Sequence, residues 1–108
     1  MKNLSNQNCV PCQEGATPMT EEEARGLQSQ LHADWDVVDG HHLMRTFRFA
    51  NFAEALAFTN DVGAIAEAED HHPDIYLAWG QVRVEIWTHK IDGLTQSDFV
   101  LAAKVDEI

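Results

Sequence analysis

Basic residues are scarce in this chain of 108 residues: seven Lys and Arg stand against 18 Asp and Glu, a formal charge of −11 at pH 7. Binding to a phosphate backbone rests on clustered Lys and Arg, so direct nucleic-acid binding is not expected. Cysteine is scarcer still. Cys9 and Cys12 form a single C-x-x-C and lack the second pair that a zinc ribbon would supply. The plain expectation is two reduced thiols of a cytoplasmic protein; a metal site completed by His32, His41 or another subunit, or a redox pair, are the alternatives. No apolar run approaches the roughly 20 residues of a membrane-spanning helix. The opening MKNLSNQNCVPCQEG also lacks the apolar centre of a secretory signal. A cytoplasmic location without membrane contact is therefore expected. Internal repeats, low-complexity tracts and a His-x-x-x-His metal pattern are absent too.

What is present fits one domain large enough to form a core unaided. Residues 1–17 carry Pro11, Gly15 and several Asn and Gln without apolar periodicity, and read as a flexible leader before a domain at 18–108. Thr20 opens a capping box with Glu23, predicting a helix from about Thr20 to His32 with Leu27 and Leu31 on one face. Asp39-Gly40 favours a tight hairpin between a strand at Trp35 to Val38 and one at Leu43 to Phe49. Asn51 can cap a central helix ending near Asp70, whose inward stripe is expected at Phe52, Leu56, Thr59, Val62 and Ala66. Ile75 to Leu77 predict a third strand. In the fourth, Val82, Val84, Ile86 and Thr88 alternate with Arg83, Glu85, Trp87 and His89. Thr95 caps a last helix with Asp98 at its third position, and Leu94 is placed to staple onto Phe99. The order α-β-β-α-β-β-α implies an α+β fold, a four-stranded antiparallel sheet with helices packed on one face.

Chemistry concentrates between residues 67 and 98. His71-His72-Pro73 is an unusual packing segment, because imidazole is half polar and the residue before proline is pushed out of the helical region. Both histidines should leave a helix end together. In a continuing helix Glu67 and His71 would be neighbours four residues apart, so the carboxylate would orient that imidazole. Singly, each residue has an ordinary reading: Glu67 as a solvated carboxylate, Asp98 as a cap, His89 as a strand histidine, Trp79 or Trp87 as core aromatics. His41-His42 has neither a following proline nor a carboxylate four residues before it, and reads as a surface hairpin pair with metal binding as the minor alternative.

The joint spacing is more specific. Glu67, His71-His72-Pro73, Trp79, His89 and Asp98, in that order and at those intervals, resemble the signature of the pterin-4a-carbinolamine dehydratase family, as do the flanking stretches TFRFANFAEALAFTNDV and THKIDGLTQSDFVLAAKVDEI. The resemblance covers roughly residues 17–108. It implies dehydration of a 4a-hydroxytetrahydropterin to a quinonoid dihydropterin plus water, in recycling of the cofactor of aromatic amino acid hydroxylases. It also implies His71 and His89 as the acid and base pair, His72 holding the pterin and assisting catalysis, and Glu67 and Asp98 orienting histidines. Pro73, Trp79 and Trp35 are candidates for the pterin pocket. No metal or separate cofactor is implied, the pterin being the substrate. A homodimer or homotetramer is implied, for which the apolar last helix (Leu101, Ala102, Val105) offers a surface, and an aromatic amino acid hydroxylase is a possible pathway partner. The alternative is a non-catalytic dimerisation or partner-stabilising module of the same fold.

Overall fold

The computed structural model describes residues 4–10 and 17–108. Two hairpins build its sheet. The first joins β1 (Asp36–Val38) to β2 (His42–Arg48). Asp39 and Gly40 both take left-handed conformations, φ 54° and 64°, which match the twist of a tight hairpin and suit Asp-Gly. The second joins β3 (Asp74–Ala78) to β4 (Gln81–Ile86) across Trp79-Gly80. Gly80 has φ 70°, and a Cβ there would meet the Phe49 carbonyl oxygen at 3.1 Å, so the turn needs glycine for both conformation and clearance. β2 pairs with β4, giving the antiparallel order β1-β2-β4-β3. With α1 (Glu21–Gln28), α2 (Phe52–Glu69) and α3 (Gln96–Val105), this is the α+β architecture expected.

The core lies between sheet and helices. Leu43, Val82, Val84 and Ile86 are fully buried on the sheet, facing Ala55 and Val62 of α2 and Phe99, Leu101 and Ala102 of α3. The inward stripe of α2 differs from the expected one: it runs Ala55, Phe58, Val62, Ala66, while Phe52 and Leu56 are exposed. The helix is apolar on several sides, so periodicity alone could not choose its buried face. Packing chose it, because Phe58 stacks on Phe47 and Phe49 at 4.5 and 5.1 Å between ring centroids. α3 is another correction. Leu101, Ala102 and Val105, expected to offer an assembly surface, are buried within the chain.

The reason α3 is buried nearly all round is the leader. Leu4 joins the core and Leu4–Asn6 form a short 3-10 turn against α3. Lys104 donates to the Ser5 carbonyl, Gln96 to the Gln7 side chain, and Val10 N–H to Ser97 Oγ. Residues 4–10 are thus docked rather than loose; apolar burial at Leu4 and hydrogen bonding to α3 replace the periodic pattern that the segment lacks. Cys12 lies outside the described residues. α1 keeps its capping box but stops at Gln28, short of His32.

Candidate active site

The site begins where α2 ends. Asp70 takes a left-handed conformation, φ 51°, and the amide of His71 returns to the Ala66 carbonyl while that of Asp70 reaches Glu67, a Schellman ending. The helix therefore does not continue to His71, and the expected Glu67 to His71 alignment is lost. The chain reversal sends the two rings opposite ways. His71 turns inward, its Nε2 2.5 Å from Asp98 Oδ1, and its side chain is only 13% exposed. His72 turns outward, its Nε2 2.5 Å from Glu67 Oε2, in a pair more than half exposed on both sides. Asp98 orients His71, and Glu67 orients His72 instead.

Asp98 serves two roles at once. It is fully buried at the start of α3, where the helix dipole favours negative charge. Its Oδ2 accepts from the Thr95 backbone N–H at 2.8 Å and from Thr88 Oγ1 at 2.9 Å, while Oδ1 faces His71. Three partners offset the desolvation of the carboxylate. Capping of α3 and orientation of the imidazole thus use different oxygens.

His89 is not on the strand. β4 stops at Ile86, Thr88 forms an isolated bridge with Gly93, and His89–Ile91 make a 3-10 turn closed by Asp92 at φ 52°. That turn brings His89 beside His71 and His72, around a cavity of about 280 Å³ also lined by Val10, Asp70, Trp87, Thr88 and Lys90. Trp87 meets His89 edge-on at 4.4 Å between centroids. Trp87 also neighbours His41 and His42, at 5.4 and 5.8 Å between centroids, and His41 Nε2 lies 2.7 Å from Asp92. The hairpin pair His41-His42 therefore braces the turn that carries His89.

Two expected pocket residues lie elsewhere. Trp35 is fully buried, with its indole N–H donated to Asp106 at 2.9 Å, beyond the far end of α3 from Asp98. The eight-residue rise from Asp98 to Asp106 puts that contact about 12 Å along the helix axis from the site. Trp79 is 73% exposed in the β3–β4 turn, some seven residues or roughly 20 Å of extended chain from His72. Pro73 is half-buried and follows the pair directly. The aromatic wall is Trp87, whose only sequence signal was its place beside His89 on the less apolar side of β4. Asp70, Thr88, Lys90 and Val10 were not foreseen.

Beside the site, Cys9 donates its N–H to Glu69 at 2.8 Å and its thiol faces the Ser97 carbonyl at 3.4 Å. Burial, reinforced by the Glu69 and Asp98 carboxylates, pushes the thiol up to about 12. Cys9 is therefore a protonated thiol at neutral pH. Among the described residues no group of three or more His, Cys, Asp or Glu side chains is arranged to hold a metal ion.

The sequence model of the family described as Pterin 4 alpha carbinolamine dehydratase matches residues 17–108. The chain belongs to this family. A relative from Rubrobacter xylanophilus is 55% identical over the full length of both chains. One from Alkaliphilus metalliredigens is 52% identical over 99% of this chain and 96% of its own. Both are provisionally named pterin-4-alpha-carbinolamine dehydratase. Among solved structures, a transcriptional coactivator/pterin dehydratase from Brucella melitensis superposes with a TM-score of 0.77 at 33% identity, covering 84% of this chain and 97% of that one. A pterin dehydratase-like protein identified as a RuBisCO assembly factor in the alpha-carboxysome shares the fold, with a TM-score of 0.59 at 23% identity over 70% of this chain and 89% of that one.

Proposed function

We propose that this pterin dehydratase family member converts 4a-hydroxytetrahydropterin, such as 4a-hydroxytetrahydrobiopterin, to quinonoid dihydropterin and water. The observation that carries this reading is three histidines around one cavity, one of them held by a buried carboxylate. In the reaction an acid protonates the C4a hydroxyl, the C–O bond breaks with loss of water, and a base takes the N5 proton as the C4a=N5 bond forms. His71 and His89 supply the two proton transfers, and general acid/base catalysis of this kind contributes about 10²- to 10⁴-fold. Asp98 occupies Nε2 of His71, which leaves Nδ1 as the nitrogen that exchanges protons. His72, tethered through Nε2 to Glu67, holds the pterin with Pro73 behind it, and Trp87 offers a face for the flat ring.

The reaction uses no cofactor beyond its pterin substrate, whose source would be a cytoplasmic aromatic amino acid hydroxylase. Assembly into a homodimer or homotetramer would use the open edge at β3 and the outer face of α2, where Phe52 and Leu56 are 45% and 41% exposed. A monomeric mass by light scattering at micromolar concentration would count against assembly. The coactivator half of the Brucella protein's name keeps a partner-stabilising module as the second reading. The two separate on one assay: catalytic amounts of protein should accelerate decay of a freshly generated 4a-hydroxytetrahydropterin well above buffer. A folded protein that gives no acceleration but captures a stoichiometric partner reverses the ranking.

A further inference from the structure

Residues 7–10 cross the two chain ends that place the catalytic groups. Glu69, at the last turn of α2, receives the Cys9 N–H at 2.8 Å, and Ser97, at the first turn of α3, is bonded to Val10 in both directions. Ser97 Oγ accepts from Val10 N–H at 2.9 Å and donates to the Val10 carbonyl at 3.2 Å, and Ser97 is only 4% exposed. His71 follows Glu69 by two residues, and Asp98 follows Ser97 by one. The segment is thus bonded to both supports of the His71–Asp98 pair, and it ends by placing Val10 on the cavity rim.

Val10 is chemically out of keeping with its surroundings. It is 68% exposed, yet the backbone on its N-terminal side is anchored, and its neighbours around the cavity include three histidines, an aspartate and a lysine. A large exposed apolar side chain held in place at the mouth of a polar cavity gains its burial only when something covers it. Trp87 is the other large apolar side chain lining that cavity among the described residues.

We propose that residues 7–10 form a wall of the active site, with Val10 a specificity-determining residue that packs on an apolar surface of the bound pterin. The proposal rests on the pterin reading of the cavity. Ser97 and Glu69 are positioning residues that act through the leader backbone. Cys9 contributes by its amide and its protonated thiol.

The test measures binding of an unreactive oxidised pterin by quenching of its fluorescence, together with dehydration kinetics, for wild type, Val10→Ala, Val10→Ile and Ser97→Ala. Truncating Val10 to alanine removes two methyl groups from the contact and should raise Kd and KM about 2- to 10-fold. Its kcat and thermal midpoint should stay near wild type. Val10→Ile should restore the affinity, and Ser97→Ala should raise KM because it releases Val10. An unchanged Kd and KM in Val10→Ala, with wild type active, overturns the wall while leaving the dehydratase standing. Equal losses of kcat and midpoint without a change in Kd would also overturn it, by making the segment a purely structural brace. A wild type that binds no pterin overturns both readings.

Discussion

The two histidine–carboxylate pairs at the end of α2 are made by adjacent residues and share one hydrogen-bond length, 2.5 Å, yet they live in different media. The inner pair, His71 with Asp98, joins a ring 13% exposed to a carboxylate with no exposure. The outer pair, His72 with Glu67, is 53% and 79% exposed. In water a pair of this kind exchanges freely with solvent and contributes little to stability. Inside, the carboxylate is fixed by three donors, and removing any partner strands a buried charge or polar group. Identity of residue type thus says little about environment; the left-handed turn at Asp70 separates a ring held by a buried carboxylate from a ring paired at the surface.

Replacing the inner ring should produce the largest effect. His71→Ala is expected to lower kcat about 10²- to 10⁴-fold, and His89→Ala by a similar factor, measured as dehydration rates at saturating pterin. Asp98→Ala should be the most damaging to stability, about 3–5 kcal/mol in denaturant titration, because it leaves His71, Thr88 and the Thr95 amide without their acceptor. Asp98→Asn, which keeps the shape, should still lower kcat, by about 10²-fold through misplacement of the ring. The outer pair should respond weakly: Glu67→Gln is expected to change stability by about 0.5 kcal/mol or less and to act on KM more than on kcat. If Asp98→Asn and Glu67→Gln had equal effects on kcat, the inner and outer distinction would fail.

The smallest effect concerns Cys9. Its folded-state pKa lies above its ordinary value of 9.0, at about 12, so the unfolded chain releases this proton first as pH rises. The contribution to stability is therefore complete below about pH 9 and declines between about pH 9 and pH 12. In a Cys12→Ser background, iodoacetamide should modify Cys9 at pH 8 more slowly in the native protein than in urea. Equal rates would show that the leader does not hold Cys9 as described.

Much of this arrangement is legible in the residue order, where local chemistry decides the outcome. Asp39-Gly40 announces its hairpin, Asn51 and Thr95 announce their helices, and His-His-Pro announces that two imidazoles leave a helix end together. What escapes is whatever depends on a change of chain direction. Glu67 pairs with His72 because Asp70 adopts a left-handed conformation that no glycine or asparagine advertises. His89 leaves β4 because Thr88 closes on Gly93, although the alternation of β4 runs on through it. The buried face of α2 was ambiguous because alanine and large apolar residues surround the helix. Residues 4–10 were illegible for a different reason: they dock through one buried leucine and scattered hydrogen bonds to α2 and α3, which leave no periodic trace. Trp79 shows the limit of spacing as evidence, since it sits at the far turn of the hairpin and does not line the cavity gathered by this chain.

The most direct measurement is the single-turnover dehydration rate of an enzymatically generated 4a-hydroxytetrahydropterin, compared among wild type, His71→Ala, His89→Ala and Glu67→Gln in one buffer. Wild type and Glu67→Gln should dehydrate it rapidly, with losses of about 10²-fold or more in each histidine variant. A folded wild type no faster than buffer, or histidine variants as fast as wild type, would contradict the dehydratase reading.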